Sequence, residues 1–202
     1  MKNVCHRFKQ FEEKLKSMDE KGPAPSVEKQ VCTLIDYLTG KEIADIGAEA
    51  NRQAVLRFLV EEKGYAREDI ETNVPIAFEV KGEPCRSRAD VVVSAGGRRL
   101  IAIKCAAGSL GSREREAISA ARLVDTCRLP LAVASDGQTA VVLDTRTGKK
   151  ISKGIDSIPS KAELASRFAD ASLEPLPENK LERERLVFRT YDSMNVNVAT
   201  EK

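Results

Sequence analysis

The sequence predicts an α/β (α+β) domain built on one mixed central sheet flanked by helices. Three observations predict it. Residues 48–63 place Val55, Leu56, Leu59 and Val60 on one helical stripe, with Gly64 as a stop signal. Residues 74–80, 89–93 and 100–104 are short runs rich in β-branched side chains and bounded by turn residues. A second helical pattern at 113–124, with Ile118, Ala121 and Val124 inward, separates these strands from two more at 131–134 and 140–143. Helix, three strands, helix, two strands and closing helices is the order of a sheet covered on its faces.

Taken along the chain, residues 8–18 carry apolar side chains at 8, 11, 15 and 18, the spacing of a helix, and 21–26 (KGPAPS) break it. The expected division is an N-terminal helical extension and linker over 1–28, the main domain over 29–170, and a C-terminal helical tail over 171–202. A short apolar run at 31–38 ends at Thr39-Gly40. Ser94-Ala95-Gly96-Gly97, Asp136-Gly137 and residues 144–148 read as turns, and helices are expected near 161–169 and 178–188.

Composition narrows the chemistry. A chain of 202 residues buries about 70% of its unfolded surface without staples. Its 42% apolar and 32% charged residues fit a globular protein. No stretch approaches the ~18 apolar residues of a membrane helix, and the N-terminus has no apolar signal segment, so the expectation is a cytoplasmic protein without membrane partners. The five cysteines lack a CxxC pair, which argues against disulfides and zinc and for small buried hydrophobes. With His6 as the one histidine, a Ser-His-Asp triad and a histidine metal cluster are excluded. Carboxylates, lysine, tyrosine or metal-activated water must do any acid–base work. Net charge is +2, but residues 81–128 hold ten Lys/Arg against five Asp/Glu. That excess could face an anion or consist of scattered solvated arginines.

The chemistry concentrates in one hairpin. If strands 91–93 and 99–101 pair around Ala95-Gly96-Gly97 with Val93 opposite Arg99, then Asp90 lies opposite Ala102. Side chains alternate along a strand, so Asp90, Ala102 and Lys104 share one face, while Val91, Val93, Ile101 and Ile103 point to the other. Cys105 falls with the latter group. An ordinary ion pair explains Asp90 and Lys104 on one face. So does a phosphodiesterase site, where a divalent metal held by carboxylates neutralises the phosphate and a lysine orients the attacking water.

RADVVV followed across a glycine turn by LIAIKCA resembles the core of PD-(D/E)XK nucleases, in which an aspartate begins one strand and E-x-K ends the next. LIDYLTGKEI, AEANRQAVLRFLVEEKGYAREDI, NVPIAFEV, LPLAVASDGQTAVVLDTRTGKKI and SIPSKAEL are similar to successive segments of the N-terminal nuclease domain of type I restriction R subunits. The resemblance spans roughly residues 30–168 and implies a restriction-endonuclease-like fold. It also implies a metal-dependent DNA endonuclease using Mg²⁺ or Mn²⁺, with DNA as partner and a homodimer or restriction-system subunits as further partners. Carried over by position, Asp90 matches the metal-binding aspartate, Lys104 the catalytic lysine and Glu49 the acidic residue of the first helix. Glu116 lies near where a helical glutamine follows the core motif, and is a third candidate metal ligand. The position of the family's glutamate is Ala102, which cannot ligate a metal. Weak or lost activity therefore stands beside a glutamate moved to the next helix (Glu114 or Glu116), and beside a noncatalytic nucleic-acid or protein-binding module on the same fold.

Arg86, Arg88, Arg98, Arg99 and Arg113 are the candidate phosphate contacts, each with a solvated reading beside it. Residues 108–112 (GSLGS) precede the 113–124 helix with Ser112 as its expected N-cap; the loop lacks the Gly-Lys-Ser/Thr ending of a P-loop. Aromatic content of 4% argues against a base-stacking platform.

Overall fold

The computed structural model describes residues 32–193. The helix expected over 8–18, the 1–28 extension and His6 lie outside the described residues. Eight strands and four helices follow in order: β1 (Thr33–Ile35), β2 (Glu42–Ala44), α1 (Glu49–Glu61), β3 (Ile70–Val80), β4 (Glu83–Ala95), β5 (Arg98–Cys105), α2 (Glu114–Leu123), β6 (Leu131–Ser135), β7 (Ala140–Asp144), β8 (Lys150–Lys153), α3 (Lys161–Arg167) and α4 (Glu178–Ser193). β1 and β2 form a small hairpin, and the other strands make one six-stranded sheet in the order β3-β4-β5-β6-β7-β8. Only the β5–β6 pair is parallel, because α2 carries the chain back between them. The sheet is mixed and covered by helices, as the sequence predicts.

Each face has its own apolar core. Val55, Leu56 and Leu59 of α1 and Leu164 of α3 pack with Val91, Val93, Ile101, Ile103 and Val133. On the other face, Ala117, Ile118, Ala120 and Ala121 of α2 and Phe188 of α4 pack with Val92, Ala102, Ala132, Ala134 and Val141. The alternation expected for β4 and β5 is therefore the one observed, and Cys105 lies in the first core. Asn51 ties the start of α1 to the end of β5 through Nδ2 to the Ala106 carbonyl at 2.6 Å. Gly137, in the β6–β7 turn, lies so close to α1 that a Cβ would meet Ala54 Cβ at 3.0 Å and the Asn51 backbone at 3.1 Å.

The register of the central hairpin differs from the expectation by two residues. Gly96 and Gly97, both at positive φ (60° and 72°), form a two-residue turn across which Ala95 pairs with Arg98. A bulge follows between Val93 and Ser94: Ser94 pairs with Arg99 and Val93 with Ile101, which leaves Leu100 as the extra residue. Val92, not Asp90, thus faces Ala102, and Val91 faces Ile103. Extending the Val91–Ile103 pairing by one residue brings Asp90 level with Lys104. A two-residue slip preserves the face because the side-chain period is two.

β3 and β4 are longer than their apolar runs. Beyond Asp90 they continue as an arm closed by Lys81 and Gly82. One pair is missing from an otherwise continuous β3–β4 register: pairing passes from Thr72↔Val91 to Val74↔Ala89, and Asn73, at the missing pair opposite Asp90, has φ 53°. Val91 belongs to the first core, but Ala89, Val74 and Ile76 belong to the second. Asp90 sits where the hairpin changes face. β8, with an exposed and highly charged pattern, has no apolar signal to announce it.

α4 closes the second core. Phe188 is fully buried and meets Phe78 edge to face at 6.1 Å between centroids. Glu184, 3% exposed, accepts from Ser119 (2.6 Å), Arg122 (2.7 Å) and Arg115 (2.8 Å), all on α2. Within the expected C-terminal tail, Glu178–Ser193 is thus a helix packed on α2.

Candidate functional site

Asp90, Lys104 and Glu116 converge. Lys104 Nζ lies 3.0 Å from Asp90 Oδ1 and 3.3 Å from Glu116 Oε1, and donates to the Arg88 carbonyl at 3.2 Å. The other Asp90 oxygen, Oδ2, accepts the Cys105 backbone N–H at 2.7 Å. The other Glu116 oxygen, Oε2, is 2.7 Å from Arg113 Nη1. Side-chain exposure is 18% for Asp90, 9% for Lys104 and 0% for Glu116. Each partner arrives by a different route: Asp90 from the middle of β4, Lys104 from the end of β5, and Glu116 from the first turn of α2.

Burial alone would push the Lys104 ammonium down, but Asp90 and Glu116 beside it more than reverse this and hold it above the ordinary lysine range. Lys104 is therefore a charged donor at neutral pH and not a base. Burial pushes the Cys105 thiol well up, and Asp90 adds to the effect. That thiol is a core group and not a nucleophile.

Glu114 and Glu116 differ in destination. Glu114 pairs with Lys150 at 2.9 Å, toward β8, and Glu116 alone of the two reaches Lys104. Glu49 has hydrogen-bond partners of its own. Its Oε1 accepts from Arg52 (2.7 Å) and Gln53 (2.8 Å), in a network that includes Asp36. It rides on α1, which covers the opposite face of the sheet from α2, and it bears on the Cys105 thiol together with Asp90.

The arginines also divide. Arg86 and Arg88 are exposed on the β4 arm, and their guanidinium groups have no partner among the described residues. Arg98 caps the end of α3, donating to the carbonyls of Phe168, Ala169 and Ala171. Arg99 is held by Glu71 (Nε to Oε1, 2.7 Å) and by Asp125 at 3.5 Å. Arg99 is also five residues from Lys104 along β5, a span of about 17 Å. Arg113 engages Glu116. Ser112 is not a cap: its hydroxyl donates to the Ser109 carbonyl, and Arg113 holds the N-cap position of α2 without a side-chain cap.

Two contributors had no sequence signal, the Arg88 carbonyl and the Cys105 N–H, since backbone groups are common to every residue. The Arg113–Glu116 pair did have one, the i,i+3 spacing of opposite charges in a helix.

Carboxylate oxygens suit magnesium or manganese, which such sites hold with one or two carboxylates plus water. The donor chemistry of Asp90 and Glu116 fits that ion class. Among the described residues, however, no group of three or more His, Cys, Asp or Glu stands ready to hold a metal. All four oxygens of the two carboxylates already have partners.

The mixed six-stranded sheet covered by helices defines the class as an α+β domain. The family model for the type I restriction enzyme R protein N terminus matches residues 47–159. This is more than half the chain, and the protein belongs to that family. Comparison with curated proteins finds no match, and comparison with solved structures finds none. Among the described residues, no helix is long and apolar enough to cross a membrane.

Proposed function

We propose that this domain carries a metal-dependent DNA endonuclease site in which Asp90 and Glu116 hold Mg²⁺ or Mn²⁺ and Lys104 positions the reacting groups. The observation that carries the reading is the approach of Glu116 to Lys104 at 3.3 Å, which returns a second carboxylate to a site whose strand offers only Ala102. Such an ion would supply phosphate neutralisation and a more acidic water. Lys104, kept protonated by its two carboxylates, donates hydrogen bonds to a phosphate oxygen or to the attacking water and stabilises developing negative charge. Asp90 is pre-oriented by the Cys105 N–H, so little reorganisation remains for it. Arg86 and Arg88, exposed and near Asp90 in sequence, support backbone contacts to DNA.

The test is nicking of supercoiled plasmid in Mn²⁺ or Mg²⁺. Asp90→Asn and Glu116→Gln are expected to fall to background, and cleavage that persists undiminished in Asp90→Asn sinks the assignment. A second reading, a noncatalytic DNA-binding or assembly module, is favoured by the carboxylate oxygens of Asp90 and Glu116, each of which already has a partner in the protein. It predicts salt-sensitive duplex binding with no cleavage in any divalent ion.

A further inference from the structure

β5 ends in three backbone groups, each anchored to a different element. The Cys105 N–H turns toward β4 and donates to Asp90 Oδ2 at 2.7 Å. The Ala106 N–H turns toward β6 and donates to the Ser135 carbonyl at 2.8 Å. The Ala106 carbonyl accepts from Asn51 Nδ2 of α1 at 2.6 Å. Ala106 is buried, and residues 107–109 beyond it are exposed, so the ordered strand gives way to loop at this point. Asn51 is itself held. Gly137 of the β6–β7 turn lies against its backbone, where a Cβ would stand 3.1 Å from both the Asn51 Cα and its carbonyl oxygen. Ser135 fixes that turn: its hydroxyl donates to the Thr139 carbonyl at 2.7 Å and accepts the Gly137 N–H at 3.1 Å. Helix, turn and strand end therefore meet around one asparagine. Asparagine is a weaker helix former than alanine or leucine, so α1 carries it at a local cost that the contact to Ala106 offsets.

We propose that Asn51 is a positioning residue for the Asp90 site, acting from the opposite face of the sheet. Element ends next to exposed loops open locally at low free energy. By fixing Ala106, Asn51 stops such opening from running back into Cys105 and keeps the Cys105 N–H on Asp90 Oδ2. Asp90 is then held in one orientation, with Oδ1 toward Lys104. The consequence for a bound cation rests on the reading of Asp90 as a cation ligand; the hold on Cys105 does not.

The experiment is amide hydrogen exchange of the full chain, read residue by residue by NMR, beside calorimetric titration with Mn²⁺. Asn51→Leu keeps the size of the side chain, favours the helix and cannot donate. The exchange rate of the Cys105 amide, divided by that of Ile103 in the strand interior, is expected to rise about fivefold over wild type, the weight of one hydrogen bond. Taking the ratio removes any loss of global stability, which speeds both amides alike. Mn²⁺ binding is expected to weaken by a similar factor. Asn51→Ser, which loses the amide and adds no bulk, carries the same expectations if the leucine variant does not fold. An unchanged ratio overturns the proposal. A raised ratio with wild-type Mn²⁺ affinity overturns the positioning role, because Asp90 then binds the ion without help from the strand end. Absence of Mn²⁺ binding in wild type removes the cation reading of Asp90, and the exchange ratio alone then decides the hold on Cys105.

Discussion

Ala102 decides where the second carboxylate can come from. It is fully buried and shares an apolar cluster with Ala132 and Ala134 of the sheet and Ala117, Ala120 and Ala121 of α2. Alanines on both surfaces let a helix settle close to a sheet, and that closeness brings Glu116 within reach of Lys104. A glutamate at position 102 would have to enter the same space. Ala102→Glu is therefore expected to destabilise the fold by more than about 3 kcal/mol, from overpacking and from a buried charge without a prepared partner. Urea unfolding checks this as a lowered midpoint; a midpoint equal to wild type would mean the alanine layer is looser than described. The common face of Asp90 and Lys104 was legible in the sequence despite the slipped register, because parity survives a shift of two. The meeting with Glu116 was not, since it depends on how close α2 rests.

Among the elements, α2 is held by α4 through buried Phe188 and, on the polar side, through Glu184. Ser119, Arg115 and Arg122 all converge on this one carboxylate. Burial would raise Glu184, but Ser119 and the two arginines outweigh it and hold the carboxyl below its ordinary value of 4.5. A depressed folded-state pKa contributes stability that is fully present above the unfolded value and is lost as pH falls through the folded one. Glu184→Gln should cost about 2 kcal/mol at neutral pH, where it removes charge-assisted bonds from buried donors. The gap to wild type should close as pH drops below about 4.5, because wild type then protonates the same group. Denaturation midpoints of both proteins at pH 7 and pH 3.5 would show it, and a gap that is constant or widens in acid contradicts this account. At this scale, helices with apolar stripes (α1 and α2) were readable almost to their ends. The β3–β4 arm and β8 were under-read because the arm's outer face and most of β8 are exposed, so neither carries a continuous apolar run.

For the molecule as a whole, what matters is which positive charges remain available to an outside anion. The basic excess of residues 81–128 is visible in the sequence, but its deployment is not. Arg98 reaches carbonyls seventy or more residues away at the end of α3, and Arg99 reaches Glu71 on the edge strand β3, across the intervening β4. Nothing local to those arginines announces either destination. Arg86 and Arg88 alternate with the buried Cys85 and Ala89, so they share the outward face of the arm and are spaced about 6.6 Å apart along it. Their donors are unengaged among the described residues, and Asp90 follows two residues after Arg88. If nucleic acid approaches the Asp90–Lys104 site, these two side chains meet its backbone, and Arg98 and Arg99 do not. Each phosphate contact contributes about 0.9 to the slope of log binding constant against log salt for duplex DNA. Arg86→Ala/Arg88→Ala should therefore flatten that slope by about 2 and weaken duplex binding at low salt regardless of sequence. Arg98→Ala/Arg99→Ala should leave the slope near wild type while lowering the unfolding midpoint, because it removes a helix cap and an ion pair. Fluorescence anisotropy across a salt series, read beside denaturation curves, separates the two outcomes. If the 98/99 pair flattens the slope instead, DNA lies along the far end of β5, and the arm is not its track.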